Sequence, residues 1–289
     1  MEALEFKGFG GTSIAASAFG SPDSPPVVLL PSLGQVRQFW FGSAKALADA
    51  GRYAICIDLR GHGDSAHSND GQYDLDAHVG DLRCVLAALP SRAVVVTAGL
   101  GALIALAAVG EGEAHLVAGL ALVDANIWVD RTAADRVGGM SAPSGIDFAD
   151  PAKILDTIAA AYPTEPRPVM SERVMSAYRT RDDGRFEWRG DPRAVAPASL
   201  LNIAERMTKA ATGVGVPVTL IRGSLNESLS GEKARELQAM IRGSELAEIE
   251  GAGHYAWSDR EDDFNAILLD FLERQTPRDA LTFIGGSEP

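Results

Sequence analysis

The 289-residue sequence has only two cysteines, Cys56 and Cys84. Two thiols cannot make a disulfide framework, and neither has another Cys or a His at metal-ligand spacing, so both read as small core residues. Positive charge is also scarce. Lys and Arg number 26 against 39 Asp and Glu, a net charge of −13, which leaves no basic face to neutralise phosphates and argues against nucleic acid or an anionic membrane as partner. The opening MEALEFKGFGG has neither the basic stretch nor the apolar run of a secretory signal, which predicts the cytoplasm. Nucleotide fingerprints are missing too: no GxGxxG or Walker loop follows a strand, so no nucleotide, flavin or metal cofactor is expected. One apolar run, Ala93 to Gly110, approaches the length of a membrane span. Its β-branched start, its glycines at 99 and 101 and its Ala/Leu-rich second half read better as a buried strand turning into a buried helix.

What is present is an ordinary globular composition, 46% hydrophobic and 22% charged, with apolar segments in a regular order. Strands are expected at Val27 to Leu30, Tyr53 to Leu59, Ala93 to Thr97, Val117 to Asp124 and Val216 to Gly223, with a last one in ELAEIEG. Helices are expected between them, at Phe41 to Ala50, Leu75 to Leu89, Leu100 to Val109 and Gly231 to Ile241, and after them at Asp262 to Arg274. Continuous apolar strands separated by helices predict an α/β fold, a mostly parallel sheet covered on both faces. The rhythm breaks between 126 and 206, a Pro- and charge-rich stretch with short helical pieces. We therefore expect a core over 1–125 and 207–275, a helical lid insertion over 126–206 above the carboxyl edge of the sheet, and an irregular tail over 276–289.

The loops that end the strands hold the unusual residues: PSLGQVRQFW, DLRGHGDS, TAGLGA, RGSLNES and GAGHYAW. DLRGHGDS, the strand-turn-helix around Gly99 and GAGH ahead of the last helix resemble the α/β-hydrolase superfamily nearly end to end. YDLDAHVGDLRCVLAALP, DDGRFEWRGDPR and RGSLNESLS are similar to its bacterial peroxidase-like or epoxide-hydrolase-like subgroup. That resemblance implies a G-x-S-x-G elbow holding a nucleophile, then an acid, then a histidine. Here the elbow residues are Thr97, Ala98, Gly99, Leu100 and Gly101. The central position is glycine, so no acyl-enzyme can form on it. Thr97 and Ala102 also depart from the family's glycines, which speaks for drift of the whole turn.

The resemblance further implies that His254 is the catalytic base, that Glu227 is its acid, and that the backbone N–H groups of Leu33 and Leu100 are oxyanion donors. Asp124 and Asn226 are the competitors for the acid's place. His62, inside RGHG, reads as structural. Ser32 reads as a turn residue at the pocket, with replacement nucleophile as a lesser alternative. Gln35, Trp128, Trp188 and Tyr255 are further expected pocket residues, and Tyr162, Tyr178 and Phe186 are lid aromatics that could line the pocket or simply pack the lid.

A His/carboxylate dyad without a nucleophile can still deprotonate water or an acidic substrate proton. The expected function is cofactor-independent general-base chemistry on a small apolar or aromatic substrate, by water-activated hydrolysis or a nonhydrolytic lyase, cyclase or epimerase step. The alternative is a noncatalytic ligand-binding pseudoenzyme of the same fold. The sequence carries no signal of oligomeric state.

Overall fold

The structure, a computed structural model, describes residues 1–129, 149–161, 167–195 and 203–275. An eight-stranded sheet runs through it in the order β1-β2-β4-β3-β5-β6-β9-β10. The strands are β1 (Glu2–Lys7), β2 (Ser13–Phe19), β3 (Pro26–Leu30), β4 (Tyr53–Ile57), β5 (Ala93–Ala98), β6 (Val117–Val123), β9 (Val218–Gly223) and β10 (Glu245–Ile249). From β4 to β10 every pairing is parallel; β1 and β2 add an antiparallel edge. A separate hairpin, β7 (Tyr178–Thr180) and β8 (Phe186–Trp188), lies between β6 and β9 in the chain. The antiparallel edge and this hairpin were not expected from the apolar pattern; β1 alternates exposed and half-buried residues, as an edge strand does.

The two faces of the sheet divide the core. Val28, Leu30, Val95, Leu120 and Leu122 face one apolar cluster, and Val27, Leu29, Val94, Val96 and Val123 face the other, the period-two alternation of a strand covered on both sides. The first cluster is closed by α2 (Leu75–Ala87), α3 (Leu100–Gly110), α6 (Ala204–Gly213) and α7 (Gly231–Met240). The second is closed by α1 (Phe41–Asp49), α8 (Ala256–Asp259) and α9 (Glu261–Gln275), where Trp40 stacks on Trp257 at 5.1 Å. Two further helices, α4 (Pro151–Ala161) and α5 (Arg167–Ser176), also fall between β6 and β9. α6 straddles the expected core boundary at 206 and packs on α3, where a Cβ on Gly213 would overlap the Gly110 carbonyl.

The run from Ala93 to Gly110 divides, as expected, into β5 and α3 at Gly99, and no helix among the described residues is long and apolar enough to cross a membrane. Cys56 is buried, Cys84 half-buried, and both are free.

Strand order reverses at β3: the chain moves from β3 to β4 on one side, then returns to place β5 on the other. Such a switch point opens a crevice at the carboxyl ends of the two central strands, where open α/β sheets bind ligands. The segments that leave β3 and β5 are the ones that carry Ser32 and Gly99.

Candidate active site

Gly99 caps α3 with φ 51° and ψ −116°, a conformation that a side chain occupies only under strain. Its N–H donates to the Val123 carbonyl at 3.2 Å, and its carbonyl accepts from Ala102 N at 3.0 Å. The turn is thereby tied to β6 and to the first turn of α3. Register then sets the neighbours: Leu30 pairs with Thr97, and Ala98 pairs with Val123. Ser32, Gly99 and Asp124 therefore leave three adjacent strands at one level of the sheet.

Asp124 is buried and is the one non-glycine residue with positive φ (50°) among the described residues. Its Oδ2 stands 3.4 Å from His254 Nδ1, long for a hydrogen bond, as apo catalytic contacts often are. Burial pushes the Asp124 carboxyl up from its ordinary range, while His254 and the Asn226 side chain pull it down. The expectation that Glu227 meets His254 is corrected here: Glu227 is exposed and Asp124 holds that nitrogen. The physical reason is the turn after β9. Asn226 N–H donates back to the Gly223 carbonyl at 3.2 Å and its side chain is buried, where its Oδ1 accepts from Ser228 N at 2.7 Å. The next residue, Glu227, is left facing solvent.

His254 is half-buried, with its ring edge-on to Tyr255 at 5.2 Å. A residue not anticipated from sequence steadies its loop. Asp259, at the end of α8, accepts the Gly253 N–H at 2.8 Å, and burial raises its carboxyl to about 6. In the sequence SDRED it is one acid among several at a helix start, which is why nothing marked it.

The loop after β3 is braced residue by residue. Gln35 is buried; its Oε1 accepts from Ser32 N at 3.0 Å and its N–H donates to the Ser32 carbonyl at 3.2 Å. It is thus a brace for the turn that carries Ser32. Gly34 is held at both ends: its N–H donates to His62 Nε2 at 3.0 Å and its carbonyl accepts from Trp188 Nε1 at 3.1 Å. Because Nε2 accepts, the ring proton of His62 sits on Nδ1, which donates to the Arg60 carbonyl at 3.0 Å. Burial lowers His62 to about 4, keeping it neutral for this task. The structural reading of His62 agrees with these contacts.

Leu33 and Leu100 are buried beside the turn. The Leu100 N–H points at Ser32 Oγ, 3.4 Å away. A Cβ built on Gly99 would overlap that same hydroxyl and stand 2.9 Å from Ser32 Cβ. The space above the glycine is filled by the neighbouring strand's serine.

Trp188 reaches this region from β8, edge-on to His62 at 5.3 Å. The hairpin docks on the 58–64 turn through Gly63 N–H to the Arg189 carbonyl (2.6 Å), Asp191 N–H to the Gly61 carbonyl (2.8 Å) and an Arg189–Asp64 ion pair. Tyr73 OH donates to Asp191 at 2.6 Å. Of the other expected pocket residues, Tyr255 is buried against Phe39 and Trp257, and Trp128 packs at the core edge with Lys233 Nζ 4.3 Å above its ring. Tyr178 and Phe186 are half-buried on the hairpin; Tyr162 and the 276–289 tail lie outside the described residues. No cluster of His, Cys, Asp or Glu that could hold a metal is present among the described residues.

A mostly parallel sheet with a buried carboxylate beside a histidine at its carboxyl edge, next to a strand-turn-helix whose first N–H points at Ser32 Oγ, is the arrangement of an alpha/beta hydrolase fold. The chain belongs to the alpha/beta hydrolase family, whose model matches residues 27–267. It is 29% identical over 257 residues to esterase Rv0045c of Mycobacterium tuberculosis (strain ATCC 25618 / H37Rv), covering 86% of this chain and 82% of that protein. E-2-(acetamidomethylene)succinate hydrolase superposes with a TM-score of 0.81 at 19% identity, over 94% of this chain and 99% of the other. The enol-lactonase of Burkholderia xenovorans LB400 superposes with a TM-score of 0.75 at 22% identity, over 93% and 99%.

Proposed function

We propose that this chain is a cofactor-independent hydrolase of small, largely apolar esters, thioesters or lactones, working through His254 as general base with Asp124 as its acid. The observation that carries this reading is the 3.4 Å contact between His254 Nδ1 and the buried Asp124 carboxylate, one strand away from Gly99. A carboxylate on Nδ1 fixes the imidazole tautomer and leaves Nε2 as the base. The N–H groups of Leu33 and Leu100 are the proposed oxyanion donors. Gly99 stands where the family's nucleophile is expected, and Asp124 at the end of β6 does the work first assigned to Glu227. The names of the similar proteins, an esterase, a hydrolase and an enol-lactonase, support an acyl-type substrate. The motifs YDLDAHVGDLRC and RGSLNESLS favour the epoxide-hydrolase-like subgroup within the family.

The segment 126–206 is proposed as the lid. The docking of its hairpin beside the loops after β3 and β4, with Trp188 Nε1–H on the Gly34 carbonyl, supports that role. Two free cysteines fit a reducing compartment, in keeping with a cytoplasmic enzyme. The glycine at 99 favours a second reading, a ligand-binding protein without turnover. A panel of aryl esters, thioesters and lactones separates the two. The hydrolase reading expects turnover that His254→Ala reduces by roughly 10³-fold or more; thermal stabilisation by ligands with no His254-dependent turnover would establish the binder instead.

A further inference from the structure

We infer that Ser32 is the catalytic nucleophile, its hydroxyl having taken the place above the β5 turn that Gly99 leaves open; the inference rests on the hydrolase reading of the His254–Asp124 pair. Two strand-turn-helix connections flank the switch point, β3 to α1 and β5 to α3, and both end at the carboxyl edge of the sheet. Neighbouring strands lie about 4.8 Å apart, and the Ser32 side chain leans across that gap. Its Oγ overlaps the position of a Cβ on Gly99 and lies 3.4 Å from the Leu100 N–H. A serine at 99 would set its own hydroxyl next to that same N–H. The hydroxyl has therefore moved by chain position while staying at the same spot in the crevice.

Three further features suit this role. Ser32 and His254 are both half-buried, so substrate can reach them. Gln35 grips Ser32 by its N–H and its carbonyl, and His62 and Trp188 fix Gly34 two residues on, so the turn is rigid before substrate arrives. The chain order of an elbow is also repeated: Leu33 follows Ser32 as Leu100 follows Gly99, so the residue after the hydroxyl bears the proposed donor in each turn.

In the reaction, Ser32 Oγ attacks the substrate carbonyl carbon while its proton passes to His254 Nε2. The carbonyl oxygen becomes an oxyanion on the Leu33 and Leu100 N–H groups. Collapse breaks the bond from carbon to the alkoxy or thiol leaving group, which departs with the proton from His254 and leaves an acyl ester on Ser32. Water then attacks, giving its proton to His254. Ser32 leaves as the second alkoxide, recovers that proton, and the carboxylic acid product is released.

The test is covalent labelling of the full-length chain with a fluorophosphonate, read by peptide mass mapping, beside turnover of p-nitrophenyl acetate. One adduct on the peptide that contains Ser32 is expected, lost in Ser32→Ala together with roughly a 10³-fold fall in kcat/KM. Ser32→Cys, which keeps a nucleophile of nearly the same shape, should form an acyl-thioester and react with iodoacetamide, so a poorly folded alanine variant does not end the test. His254-dependent turnover that survives in Ser32→Ala within tenfold would overturn the inference while leaving the hydrolase reading standing on activated water. An adduct mapped elsewhere, or none on Ser32, also overturns it. If no acyl substrate is turned over and His254→Ala changes nothing, the hydrolase reading itself has failed.

Discussion

Placing a serine at Gly99 tests the crowding above the β5 turn directly. Holding a side chain at φ 51° costs about 1–3 kcal/mol. Its Cβ also meets the Ser32 hydroxyl, with Ser32 Cβ at 2.9 Å, and overpacking of this kind adds about 1–3 kcal/mol. Gly99→Ser alone should therefore lower stability by about 2–6 kcal/mol. Ser32→Gly alone removes a weak 3.4 Å contact and adds backbone freedom, a loss of about 1 kcal/mol. In the double variant the overlap is gone, so the two losses should not add; a favourable coupling of about 1–3 kcal/mol is expected. Urea unfolding of the four proteins measures it, and in a domain of this size each kcal/mol moves Tm by about 2–4 °C. Catalysis supplies the second readout. The double variant moves the serine hydroxyl onto the elbow, beside the Leu100 N–H, and should regain ester turnover relative to Ser32→Gly and give an adduct at position 99. Additive stabilities, within about 0.5 kcal/mol, would refute the claim that Ser32 fills the space above Gly99.

Other perturbations follow from the same contacts. Asp124→Asn should lower kcat by about 10²–10⁴-fold, as removal of a histidine's orienting carboxylate does, while the exposed Glu227→Gln should leave kcat/KM unchanged; steady-state kinetics on one ester compares them. Trp188→Phe removes the donor to the Gly34 carbonyl, costing about 1 kcal/mol, and should depress kcat more than it alters KM. Acid should destabilise the fold through its buried histidines. His62 is lowered to about 4 and His78 to about 3 by burial, so below the ordinary value near 6.5 the unfolded chain binds protons that the folded chain refuses. Stability is then full above pH 6.5 and falls as pH drops toward 4. At pH 5 each histidine accounts for about 2 kcal/mol. His78→Leu, which removes two buried ring nitrogens without partners, should flatten that slope by its share in urea titrations at pH 7 and pH 5; an unchanged slope would show that His78 does not contribute.

Most of the central sheet was legible because apolar strands buried on both faces look alike wherever they occur, and the glycine at 99 marked the break between β5 and α3. The β7–β8 hairpin was missed although Asp183-Gly184 is a turn pair, with Gly184 at φ 79°. Its short charged strands gave too little alternation to outweigh their polarity. The choice between Asp124 and Glu227 lay beyond sequence reasoning for a different reason. Both follow strands at the same edge, and which one faces inward is set by a turn in which Asn226 takes the buried position. In the same way, Ser32 in PSLGQ read first as a turn residue at the pocket, because the reach of its hydroxyl to the next strand depends on how the two turns face each other.

The grip on Gly34 has a consequence for how the protein matures. The tryptophan that holds its carbonyl lies 154 residues further along the chain. As the protein is synthesised from its N-terminus, β1 to β5 emerge well before that tryptophan, and the loop that presents Ser32 lacks one of its two anchors until the hairpin docks. Completion of the site is thus a late assembly event, separable from formation of the central strands. A cut within the 181–184 turn would leave the sheet intact and loosen the hairpin together with this long-range clasp, so loss of activity would precede loss of fold.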